Sequence, residues 1–241
     1  MDTSVDRRVF DRRLFAAAAI LFPLLVLLGF SRTYYLKPFF VTPPLPSSLV
    51  HVHGLLMTAW VVLFVAQVRF ISAKRIRLHQ RLGYYGIGLA ALIIVTGIPM
   101  ALRAAKYGST AAPPDIPSLA FLIVPVFDLV LFAILFAGAI YFRRTPAAHK
   151  RLMLLTAVNF LPPAVARIPV ASFQALGPLW FWGFPTLVGL VCLALDARRN
   201  GHVNKVFALG LALMIGSYVA RLALMTSDAW IHVATWLTSF V

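Results

Sequence analysis

Apolar runs of about twenty residues recur along this chain, and that repetition leaves it few ways to fold. A helix of that length matches the hydrocarbon thickness of a bilayer. Within hydrocarbon, only a structure that satisfies its own backbone hydrogen bonds is stable. Seven such runs are read at residues 14–31, 49–71, 82–102, 119–142, 150–170, 177–196 and 205–224. The expected fold class is all-α: a polytopic membrane helical bundle of seven transmembrane helices plus a short C-terminal interfacial helix. The chain divides into three segments: a basic N-terminal head at 1–13, the bundle at 14–224, and the terminal helix at 225–241. Only 12% of residues are charged, about half the share usual in a soluble domain.

The net charge of +15 would point to nucleic acid in a soluble protein. Here the basic residues lie in short loops, so membrane orientation explains them and no nucleic-acid partner is expected. Sixteen of the 22 Lys and Arg residues fall in the head and in the loops after the second, fourth and sixth runs. The opposite loops and helix ends hold Arg32, Lys37, Arg103, Lys106, Arg167 and Arg221. That asymmetry predicts a bacterial inner-membrane protein with a cytoplasmic N-terminus and an outer C-terminus. The head resembles a signal-peptide n-region, but no small-x-small cleavage site follows near Gly29, so the first helix is expected to be retained. Two Pro/Ser segments, VTPPLPSS and AAPPDIPS, end one helix and introduce the next. Trp230 and Trp236 mark the last segment as lying on the outer leaflet.

All seven acidic residues are Asp, which argues against carboxylate-rich metal sites, and no metal ligand set is read. The single cysteine, Cys192, excludes an intrachain disulfide and any C-x-x-C site. G-x-x-x-x-G-K-S/T, H-E-x-x-H and G-x-S-x-G are absent, so no enzyme class is indicated.

Three constellations carry possible chemistry. The first is a repeated tetrad, H-x-R-L, in RLHQRLG (77–83) and AAHKRLM (147–153). His79 and His149 on neighbouring helices are candidate axial ligands for b-type haem, with Arg77, Arg81, Lys150 and Arg151 as propionate partners. The plainer reading makes them basic anchors at helix ends. The second is HVHG at 51–54. His53, Met57, Trp60, Phe64 and Gln67 form one helical stripe facing the bundle, with His53 as a ligand contact or as interhelical glue. The third is the polar set Asp128, Asn159, Arg167 and Arg221. An intramembrane carboxylate points to function and to a partner; Arg167 is expected to sit near Asp128 or His53. Arg32 and Arg221, at helix ends, are expected to snorkel to lipid phosphates. Gly83, Gly86, Ala90 and Gly97 form a small-residue packing face.

The stretches HGLLMTAWVVLFVAQ, LHQRLGYYGIGLAAL and AAHKRLMLLTAVNFLPPAVARIP resemble a family of bacterial multi-pass membrane proteins of unknown function, over roughly residues 30 to 230. That resemblance implies membrane location and architecture. A more distant likeness is to ascorbate-reducible transmembrane b-type cytochromes, which implies a haem held by a histidine pair on facing helices. Here His79 and His149 would form one pair; Asp128 stands where a second pair would need a histidine.

Three functional expectations result. One is an outer-facing intramembrane polar pocket for a small or lipid-like ligand, lined by His53, Asp128, Asn159, Arg167 and Arg221. The others are a b-type haem electron carrier using His79 and His149, and a structural or assembly subunit of a membrane complex.

Overall fold

The computed structural model describes residues 3–108, 112–113 and 115–241, with side chains from residue 10 onward. Part of the expected basic head, including the side chains of Arg7 and Arg8, lies outside the described residues, as does part of the AAPPDIPS segment. Among the described residues every regular element is helical. Six helices are long and apolar enough to cross a membrane, the architecture of a multi-pass membrane protein.

Helix α1 spans Thr3–Phe30, so the head continues directly into the first apolar helix. A π-turn at Ser31–Tyr35 closes it. Helices α2 (Ser48–Ser72) and α3 (Ile76–Tyr107) form an antiparallel hairpin. Its tight turn holds Lys74 at φ 59°. The predicted α2 stripe does face the bundle: Trp60 and Phe64 are buried, and Trp60 meets Phe132 edge-on at 5.0 Å. On α3, Gly86, Ala90 and Gly97 are buried as the small-residue pattern requires.

A short α4 (Ser118–Phe121) leads into α5 (Ile123–Tyr141). Pro125 has no N–H to offer the carbonyl of Phe121, which explains the break between them.

The fifth apolar run departs from expectation. It forms α6 (Pro146–Asn159) and one turn of α7 (Leu161–Val165) in place of one helix over 150–170, and a further turn, α8 (Ala171–Gln174), follows it. Pro162 and Pro163 cannot donate to the carbonyls of Val158 and Asn159, so the helix stops. The same prolines are tolerated in the first turn of α7, where those N–H groups have no intrahelical partner. The α6–α7 segment is also the most enclosed in the bundle, with Leu155, Asn159, Ala164 and Val165 fully shielded. Helices α1 and α5 pack around it, as do α9 (Phe184–Asn200) and α10 (Lys205–Leu224). Close approach needs glycine: a Cβ on Gly29 of α1 would fall onto the backbone carbonyl of Ala164.

The basic loops collect at one end of the bundle. Arg12 donates to the Ser72 carbonyl at 3.1 Å, and Lys150 pairs with Asp11. At the other end α11 (Asp228–Thr238) lies across α3 and α4. Its Trp230 donates to the carbonyls of Leu119 and Ala120 at 3.3 and 3.1 Å, while Trp236 stays exposed.

Candidate functional site

Asp128 sits on α5 and Arg221 near the end of α10, 93 residues apart in sequence. In the fold they form an ion pair: Arg221 Nη1 donates to Asp128 Oδ1 at 2.5 Å. The side chains are 0% and 8% exposed respectively. A buried carboxylate and a buried guanidinium each carry a large desolvation cost, so each needs the other. Asn159, the last residue of α6, donates Nδ2 to the backbone carbonyl of Asp128 at 3.0 Å. The proline-forced end of α6 sets Asn159 at this depth.

Aromatic rings complete the layer. The Arg221 guanidinium lies 5.3 Å from the centroid of Tyr218 and 5.8 Å from that of Phe127. Trp182 stacks on Tyr218 at 5.6 Å with the planes 16° apart. It comes from a π-turn, Leu179–Gly183, that precedes α9. Such wide turns recur at functional sites.

The layer is under-satisfied. Arg221 Nε and Nη2, Tyr218 Oη, Trp182 Nε1 and Asn159 Oδ1 are all buried with no hydrogen-bond partner among the described residues. A buried unsatisfied polar group costs about 1–3 kcal/mol, so five in one neighbourhood demand an explanation. The arrangement offers a fork of cationic donors, two further donors and an acceptor, framed by aromatic surface.

The other expected residues fall elsewhere. Arg167, expected near Asp128 or His53, instead donates to the Pro163 carbonyl at 2.6 Å and lies over Phe30 at 4.9 Å. The α6–α7 break turns it toward α1, so Arg221 holds Asp128. The snorkelling expected of Arg221 is likewise overturned, since α10 points that residue inward at 0% exposure. His53 shares a 2.9 Å hydrogen bond with Thr96, joining α2 to α3. That is the glue reading of this residue.

At the basic end the two tetrads do meet. The rings of His79 and His149 lie 6.1 Å apart, nearly perpendicular at 82°. His149 Nδ1 is 2.8 Å from the Ala139 carbonyl, which can only accept, so Nδ1 is the donor. His79 Nδ1 and Gln67 Oε1 are buried without hydrogen-bond partners among the described residues. Two expected propionate partners are already engaged. Lys150 pairs with Asp11, and Arg151 grips Asp196 through Nε at 2.9 Å and Nη2 at 2.6 Å. Arg151 Nη1 donates to the Ala147 carbonyl at 2.5 Å, so all its faces are used.

Sequence reasoning missed Tyr218, Trp182 and the Arg151–Asp196 pair. Tyr218 was within reach, since it stands three residues before Arg221 on one helix face. Trp182 stands in an aromatic run, LWFWGF, with no polar neighbour to single it out, and nothing in the pattern ties Asp196 to a residue 45 positions away.

Neither protein-family models, curated proteins nor solved structures give any match to this chain.

Proposed function

We propose that this is a seven-crossing bacterial inner-membrane protein, N-terminus inside and C-terminus outside, that binds a small or lipid-like ligand within the bundle. The seventh crossing is α6–α7, which runs from the basic end, where His149 meets His79, to the level of Phe30 at the end of α1. The family resemblance belongs to this reading, since it implies the same architecture and location. The ligand site is the layer of Asp128, Asn159 and Arg221, extended by Tyr218 and Trp182. His53 and Arg167 drop out of it. One observation carries the reading: five polar atoms on four residues of this layer, two of them on a guanidinium, are buried without hydrogen-bond partners among the described residues. A bundle core that needed only an ion pair would close apolar side chains around it.

Native mass spectrometry of the protein, released from mild detergent after purification from its own membranes, tests this. The expected result is an adduct on the wild-type chain that disappears in the double variant Asp128→Leu with Arg221→Met. A bare chain mass for the wild type contradicts the reading.

A second reading rests on the histidine pair. His79 and His149, with ring centroids 6.1 Å apart, would hold the iron of a b-type haem, which would supply one-electron chemistry at the basic end. This b-type haem reading predicts sharp Soret and alpha bands in an oxidised-minus-reduced spectrum, lost in His79→Ala and in His149→Ala. A featureless spectrum from protein made in a haem-replete host leaves the tetrads as basic anchors.

A further inference from the structure

Among the described residues two Arg–Asp pairs are buried, and they are built differently. Arg151 holds Asp196 through its side-on edge, Nε to Oδ2 at 2.9 Å and Nη2 to Oδ1 at 2.6 Å. That two-bond fork is the strongest geometry an arginine offers a carboxylate. Arg221 holds Asp128 with Nη1 alone, at 2.5 Å. Its Nε–Nη2 edge, the one Arg151 fills with a carboxylate, has no partner among the described residues although Arg221 is 0% exposed. Two more donors have no partner among the described residues: Tyr218 Oη, on the ring 5.3 Å from that guanidinium, and Trp182 Nε1, on the ring stacked against Tyr218.

We propose that the unfilled edge of Arg221 is the binding site for the carboxyl group of a monocarboxylic acid with an apolar body. This rests on the ligand-site reading above and names the ligand's class. Planarity and two oxygens match the fork. Charge selects a single carboxyl: Arg221 brings one positive charge, and Asp128 already balances it. The acid therefore enters neutral, as it partitions into a membrane, with its proton retained or passed to Asp128. In either case the two carboxyls together carry one negative charge against one guanidinium. A phosphate or dicarboxylate would add uncompensated charge in a low-dielectric interior. Phe127, Tyr218 and Trp182 supply the aromatic walls that an apolar body needs.

The experiment uses the full chain in mild detergent and carboxyl-labelled probes read by carbon-13 NMR. Palmitic acid stands for an acid from the lipid phase, benzoic acid for one from water, and hexadecanol and benzyl alcohol are their neutral controls. Saturable binding of one acid, at least tenfold tighter than its alcohol, is the expected result; which acid binds identifies the source. Arg221→Lys keeps a cation for Asp128 but removes the fork, and should weaken binding at least tenfold. Trp182→Phe keeps the ring and removes one donor, and should weaken it about threefold; it serves if the lysine variant does not fold. Binding unchanged in both variants, or no saturable binding of either acid, overturns the proposal. An alcohol that binds as tightly as its acid, in an Arg221-dependent way, overturns the carboxylate class and leaves the ligand-site reading standing. The native mass adduct judges that wider reading independently of these probes.

Discussion

Replacing Asp128 with leucine leaves the guanidinium of Arg221 in the bundle core with no counter-charge. The structure sets the size of the effect. Arg221 is 0% exposed, so neither water nor lipid head groups can take over. Asp128 is its ion-pair partner, through one 2.5 Å bond. Breaking a buried pair by removing one member costs about 3–5 kcal/mol, whereas replacing both members by apolar residues of similar volume is often neutral. Asp128→Leu and Arg221→Met should therefore each lower unfolding free energy by about 3–5 kcal/mol, and the double variant by about 1–2 kcal/mol or less. The coupling, about 4 kcal/mol or more, is roughly a thousandfold in the folding equilibrium. The Asn159 bond survives the change, because Asn159 contacts the backbone carbonyl of Asp128 and not its side chain. The assay is reversible unfolding in mixed micelles, titrated with a denaturing detergent and followed by helical circular dichroism. Single variants within about 1 kcal/mol of wild type, or a double variant equal to the sum of the singles, would refute the reasoning.

The packing gives two more expected outcomes. Gly29→Val drives a side chain into the Ala164 carbonyl, and overpacking of that kind should cost about 1–3 kcal/mol in the same assay. Thr96→Val removes the His53 hydrogen bond between α2 and α3; the expected loss is about 0.6–1 kcal/mol with ligand adducts unchanged, and loss of the adduct would return His53 to the site.

Hydrophobic length made the helical bundle legible from sequence, because a run of about twenty apolar residues has one stable form in a bilayer. The α2 stripe and the buried glycine face of α3 came from the same periodicity. The fifth run was harder. Its paired prolines account for the stop at Asn159, but the enclosure of this segment depends on the neighbouring helices. For the site, a membrane-depth carboxylate correctly demanded a partner, and Asp128, Asn159 and Arg221 do converge. Which arginine would answer Asp128 was not legible. Arg167 is closer in sequence and Arg221 looked like a helix-end anchor; only helix packing turns one toward Phe30 and the other inward. Trp182 was hidden for a related reason, since an i→i+5 turn inserts a residue and rotates the succeeding side chains by about 100° relative to an ideal helix.

The most direct test of an intramembrane ligand site at Arg221 is an experimental density map of the protein purified from its own membranes, inspected at the Nε–Nη2 edge. The account predicts a flat, non-protein feature with two lobes about 2.8 Å from those nitrogens, continuing into apolar density against Trp182 and Tyr218. Apolar side chains packed directly against the fork, isolated solvent peaks, or Asp128 turned to take both donors would contradict it.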